Sequence, residues 1–240
     1  MGTIMKLLSL ETATAAGGAA LVIDGVVIGE SMTTKDRRHA ETLLPSAIEL
    51  LAQAGITVQE LDGIVIDVGP GLYTGLRVGI ATARSLAMAS GSGLYSLTSL
   101  EVLANDERLG TSQTVLSVLD ARRGEVFAQY FTVENGQRFP QGEPRVLLPG
   151  DLIEEMDTRP QSLVVVGDGG VRYQELFAHL QGVEFAPVPL FPSPATAAMM
   201  VERGGVTKQD IPSDVTPIYL RDPDAVANFK VAAPSRLADS

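Results

Sequence analysis

The run Asp67-Val68-Gly69-Pro70-Gly71-Leu72-Tyr73-Thr74-Gly75-Leu76-Arg77-Val78-Gly79 constrains this chain more than any other stretch. It follows Gly63-Ile64-Val65-Ile66, whose apolar character predicts a buried strand, and it leads into residues 80–89, which read as a helix. A strand, a glycine-dense turn and a helix start in that order can hold an anion. Glycines admit close backbone approach, and the first N–H groups of a helix have no internal partner. The turn lacks the Lys-Ser/Thr pair of a Walker loop, and Leu72-Tyr73 breaks the glycine spacing of a dinucleotide fingerprint. A tight strand-to-helix turn that binds nothing fits the same residues.

The chain opens with a strand over residues 4–12, a second over Gly17–Ile23 and a third over residues 26–32, with Asp24-Gly25 as the hairpin turn. In phosphotransferases of the actin, sugar-kinase and heat-shock-ATPase type, an acid at the end of the first strand coordinates magnesium and the following hairpin contacts phosphates. Glu11 occupies that place, with Thr12 and Thr14 as hydroxyls. Glu11, Thr12, Gly69, Gly71, Thr74, Gly75 and Arg77 therefore form a candidate vestigial phosphate site. A solvated strand-end acid beside a capping threonine is the plainer reading of the same residues.

Residues 40–54 carry Leu44, Ala47, Ile48 and Leu51 at helical spacing, with Pro45 placing the helix start near Thr42 or Leu43. In the helix after the glycine turn, Gly79, Ala83 and Ala87 recur every four residues and permit close approach of another helix. Leu44, Ile48, Leu51, Gly79, Ala83 and Ala87 are thus a candidate subunit interface, with an intramolecular helix pair as the alternative. His39 and Glu41 read as a polar helix entry rather than metal ligands, because the only other histidine is His179 and a catalytic metal commonly needs three protein ligands. No metal site is expected.

Residues 94–97 form a short strand, and Thr98 caps a helix with Glu101 reciprocating. The polar stretch 107–112 is the first credible domain boundary. Beyond it come a strand at 114–119, the acidic strand end Asp120, an alternating strand at 125–133 and the hairpin signal Asn135-Gly136. The second half therefore begins as the first did, which predicts a duplicated α/β unit. The expected units are 4–108 and 113–221, the last helix (195–203) being free to pack on either, and a mobile tail at 222–240. An edge strand is expected at 144–148 and a buried strand at 163–166. Gly167-Asp168-Gly169-Gly170 follows, a second glycine-rich junction that could face phosphate, with Asp168 either orienting a nucleotide or, as the favoured reading, capping a helix over 171–179.

Composition narrows the function. The net charge of −11 disfavours autonomous binding to a nucleic-acid backbone, and the absence of cysteine excludes disulfides and thiolate metal sites. With no apolar run of membrane-spanning length, the expectation is a cytoplasmic protein without a membrane role. No Gly-x-Ser-x-Gly elbow or zinc signature assigns an enzyme class.

The glycine run, read with Leu10-Glu11-Thr12-Ala13-Thr14, His39-Ala40-Glu41-Thr42-Leu43-Leu44-Pro45, Ser96-Leu97-Thr98-Ser99-Leu100 and Asp120-Ala121-Arg122-Arg123-Gly124-Glu125-Val126, resembles the TsaB (YeaZ) family of threonylcarbamoyladenosine biosynthesis. The resemblance spans residues 4–220. Two departures are Glu11 where the family has Asp, and Leu72-Tyr73 where it has Ser-Phe. The resemblance implies a duplicated actin-like (ribonuclease H-like) fold with two α/β domains. It also implies a non-catalytic paralogue of TsaD that lacks that enzyme's His-x-x-x-His segment. As a scaffold it would act with TsaD and TsaE in threonylcarbamoyl transfer to the adenosine beside the anticodon, in tRNAs reading codons that begin with adenine. It further implies a homodimer when TsaD is absent, tRNA contact mainly through the complex, and no cofactor beyond weak ATP or ADP binding in the complex. The rival reading is a free-standing ATPase or small-molecule kinase of the actin-like superfamily.

Overall fold

The computed structural model describes residues 5–34, 39–110, 114–134, 137–157, 162–177, 179–209 and 212–221. Its first sheet starts with β1 (Lys6–Glu11), β2 (Gly17–Ile23) and β3 (Val26–Thr33), paired antiparallel. The hairpin between β2 and β3 turns at Asp24 and Gly25, which supply the two positive φ angles (51° and 71°) that such a turn requires. The chain continues through α1 (His39–Ala54), β4 (Gly63–Asp67), α2 (Tyr73–Ser90) and β5 (Gly93–Leu97). β4 lies parallel to both β1 and β5. The centres of β1 and β4 are buried and, Ser9 apart, apolar, because both faces of the sheet are covered.

The second sheet repeats the scheme with β6 (Thr114–Arg122), β7 (Glu125–Glu134), β8 (Gln137–Leu147), α4 (Pro149–Asp157), β9 (Leu163–Val166), α5 (Asp168–Arg172) and β10 (Val183–Phe185). Its order, β10-β9-β6-β7-β8, reproduces the β5-β4-β1-β2-β3 order of the first, with parallel and antiparallel pairs in the same places. This is the duplicated actin-like arrangement. Between the lobes sits α3 (Ser99–Ala104), started by a full capping box between Thr98 and Glu101. Leu100, Leu103 and Ala104 pack on the second sheet, whereas Val102 joins the core behind the first.

Residues after β10 return to the first lobe. α6 (Pro194–Glu202) covers the open face of the first sheet, where Ala197, Ala198 and Val201 meet Leu7, Val22 and Val65. Ser193 caps it through the Thr196 amide. β11 (Lys208–Gln209) then adds the outer strand beside β5. α6, β11, Val215 and Ile218 thus pack with the first sheet, whereas Leu220 packs against the core of the second.

Several boundaries differ from the sequence reading. α1 begins at His39, so Pro45 lies inside the helix, at an exposed position. α2 begins at Tyr73, not at residue 80. The latter half of the glycine run is therefore helical. α5 stops at Arg172 and a 3-10 turn, Gln174–Phe177, follows it. β8 is an edge strand longer than 144–148, and β11 had no sequence signal. The hairpin signal at 135–136 and the tail at 222–240 fall outside the described residues. Among the described residues no helix is long and apolar enough to cross a membrane.

Candidate functional site

Gly71, Gly75 and Gly79 lie four residues apart and share one side of the α2 entry. That side is occupied by the turn between β1 and β2. A Cβ on Gly71 would lie 2.1 Å from the Ala13 carbonyl oxygen, one on Gly75 2.0 Å from that of Thr12, and one on Gly79 2.1 Å from Thr12 Oγ1. Hydrogen bonds fix the contact: the Leu72 amide donates to Ala13 O at 2.6 Å and Thr12 Oγ1 donates to Gly75 O at 2.8 Å. The close backbone approach that the glycines permit is made by the chain itself.

Upstream, Gly69 takes a positive φ of 101° before a cis peptide to Pro70. Its carbonyl accepts from the Ser99 amide at 3.0 Å, which ties the turn to the start of α3. Asp67 Oδ1 accepts from the Gly69 amide and from Ser99 Oγ, both at 2.7 Å. Glu11 Oε1 turns back to accept from the Ala13 amide at 2.7 Å and the Thr14 amide at 3.2 Å. Both carboxyl groups are buried and adjacent. Burial, reinforced by the neighbouring Asp67, pushes the Glu11 carboxyl well above the usual range; burial also raises Asp67, against the bonds it accepts from Glu11, Gly69 and Ser99. Both carboxyl groups are thus shifted in the same direction, toward the protonated form.

Several residues of the candidate phosphate site are engaged within the chain. Glu11 faces inward and organises the β1–β2 turn, and Thr12 is spent on Gly75. Thr74 and Arg77 lie on the outer surface, where Arg77 Nη1 donates to the Tyr73 hydroxyl at 3.1 Å and Tyr73 stacks on Tyr219 at 4.8 Å. The cleft between the lobes, lined by Thr14, Gly71 and Leu72 on one side and by Asp120, Arg122 and Asp168 on the other, encloses about 10 Å³. That is room for about one water molecule, far below the several hundred Å³ of an ordinary ligand pocket. Asp168 accepts the Asp120 amide at 3.0 Å instead of capping Val171, and so joins β6 to α5. Asp120 in turn is held by Arg122 and Arg172, each at 3.1 Å.

The interface reading is corrected in part. Gly79, Ala83, Ala87 and Leu51 are buried in the first lobe's own core. Leu44 and Ile48 are exposed at 41% and 54%. On α2 the exposed small residues are Ala81, Ser85 and Ala89, a second four-residue row that the sequence reading missed. The sequence does contain the signal, since α2 carries two rows of small residues and only one of them can face its sheet.

Residues 27–175 match the family model for TsaD, tRNA N6-adenosine threonylcarbamoyltransferase. An uncharacterized protein of Mycobacterium tuberculosis is 35% identical, over 92% of this chain and 94% of the relative. TsaB of Escherichia coli, a tRNA threonylcarbamoyladenosine biosynthesis protein, is 31% identical over 72% of this chain and 75% of its own length. The chain belongs to the TsaB family. YeaZ from Pseudomonas aeruginosa superposes with a TM-score of 0.74 at 26% identity, covering 90% of this chain and all of that one. TsaB is the non-catalytic paralogue of TsaD. The TsaB glycine run is, in this chain, a packing device that seats the β1–β2 turn on α2. Among the described residues no group of three or more potential ligands is placed to hold a metal ion.

Proposed function

We propose that this chain is the scaffold subunit for threonylcarbamoyl transfer to the adenosine beside the anticodon, holding TsaD in its competent state and acting with TsaE. Membership of the TsaB family supports the pathway. The observation that carries the scaffold role is the self-filled glycine groove, whose close backbone approach is taken up by the chain's own β1–β2 turn. The exposed rows Leu44–Ile48 on α1 and Ala81–Ser85–Ala89 on α2 supply the contact surface for TsaD, or for a second copy when TsaD is absent. These helices are neighbours, and small side chains on one beside apolar ones on the other suit close helix packing. The inward turn of Glu11 counts against the rival ATPase or kinase reading.

The test is transfer activity reconstituted from TsaD, TsaE, tRNA and the threonylcarbamoyl-adenylate donor, with and without this chain. The scaffold role requires strict dependence on the chain, retained in Glu11→Gln. Full activity without the chain would remove it. Magnesium-dependent ATP turnover by the isolated chain, lost in Glu11→Gln, would restore the enzyme reading.

A further inference from the structure

A second recess, of about 460 Å³, opens between α3, β7, β8 and residues 218–220, away from the glycine groove. A bulge makes it. Ala128 pairs with Arg145 and Tyr130 with Gln141, so Gln129 alone stands opposite Gly142-Glu143-Pro144. Gln129 is 5% exposed and lies on the face of β7 that looks toward α3, in the alternation with Phe127 and Phe131. Its Nε2 donates to the Gly142 carbonyl at 2.8 Å, and only a donor can face that oxygen, so the amide orientation is fixed. Oε1 is left buried with no hydrogen-bond partner in a wall of the recess. An unpaired buried acceptor is costly unless something donates to it.

The other walls sort into two kinds. Ile218, Leu220, Pro140 and Pro144 supply apolar surface. Glu101 and Glu143 supply carboxylates, and among the described residues neither lysine nor arginine lines the recess. Glu101 commits Oε2 to the Thr98 amide and hydroxyl at 2.9 and 2.8 Å, and its other oxygen remains for a ligand. The polar lining is dominated by acceptors and carries negative charge, set beside an apolar strip.

We propose that this recess binds an alkylguanidinium or alkylammonium group, its apolar stem on Ile218 and Leu220 and its N–H donors shared between Gln129 Oε1 and the Glu101 carboxylate. The donor could be presented by an arginine or lysine side chain of a partner protein or by a free amine. The site stands apart from the TsaD contact proposed above and does not depend on it.

Agmatine, acetyl-arginine amide and a short Pro-Arg-Pro peptide are the probes, followed by NMR of the Gln129 side-chain amide and by titration calorimetry on the full chain. The expected result is saturable binding that shifts the Gln129 amide resonances and weakens about tenfold in Gln129→Met and in Glu101→Gln, with n-pentanol as a neutral control that fails to compete. Glu101→Gln keeps an acceptor for Thr98, so it reports on binding even if Gln129→Met does not fold. Preferential binding of the peptide assigns a protein source, and equal binding of agmatine assigns a free amine. No shift of Gln129 at millimolar probe, equal affinity in Glu101→Gln, or equal competition by pentanol would overturn the proposal and leave Oε1 as a water-bonded amide.

Discussion

Single residues explain why this glycine run tolerates no side chain. A Cβ at Gly75 meets a backbone carbonyl at 2.0 Å, and no rotamer change relieves that contact. Gly75→Ala is expected to cost about 3 kcal/mol in urea unfolding, near the upper end of ordinary overpacking. Gly91→Ala is the contrast: its φ of 71° brings strain, but no atom lies within reach of the new methyl. Equal losses in the two variants would contradict the groove.

The Glu11–Asp67 pair makes a second residue-scale prediction. The folded pKa of Glu11 lies well above its unfolded value, so its contribution to stability is complete below the unfolded pKa and is lost as pH rises through the folded one. Asp67 shifts in the same direction. Glu11→Gln removes the ionisable group and keeps an acceptor for the Ala13 and Thr14 amides. Melting temperatures from pH 4 to 9 should therefore fall more steeply for the native chain than for the variant, the two converging at the acid end. Parallel curves would show that Glu11 is ionised in the fold. Glu11 was legible in the sequence as a special acid. Its direction was not, because whether a strand-end carboxylate points out to a ligand or back to the turn depends on the distant Asp67.

At the scale of elements, α2 was the hardest to read. Gly75 and Gly79 in its first turns are poor helix formers, and with Gly71 their spacing reads as a loop until the β1–β2 turn is in place to pack on them. Its interior row was legible as a small-residue face, but sequence spacing could not say whether Gly79–Ala83–Ala87 or Ala81–Ser85–Ala89 turned inward. By contrast α3 was plain, because Thr98 and Glu101 carry the capping chemistry themselves. Thr98→Ala should cost about 1 kcal/mol in unfolding free energy, measured against denaturant. Ile48→Asp and Ser85→Trp alter exposed positions and should change monomer stability by about 0.5 kcal/mol or less while weakening co-sedimentation with TsaD. Ala83→Trp should instead unfold the monomer. If Ile48→Asp and Ser85→Trp both leave the complex unchanged, the α1–α2 surface is not its contact.

The whole molecule shows a repeat that the sequence only hinted at. Two hairpin signals, at Asp24-Gly25 and at Asn135-Gly136, were visible, but the return of the chain to its first sheet was not. α6 is short and apolar on most sides, and only the uncovered face of Leu7, Val22 and Val65 decides where it lands. A chain ended after residue 190 should lose a cooperative thermal transition and bind an apolar dye, even though every strand but β11 is retained. A sharp transition near the native temperature would show that the first lobe does not need α6.

That return has a consequence during synthesis. The second lobe is an insertion: its strands are all made before the first lobe receives its last helix. Emerging from a ribosome at about 5–20 residues per second, the first sheet would wait roughly 5–20 s with one oily side bare while some hundred residues follow β5. The inserted lobe meets no such delay, since β6 to β10 are contiguous in the chain. The lobe begun first is therefore completed last, and in that interval a chaperone has an exposed apolar surface to hold.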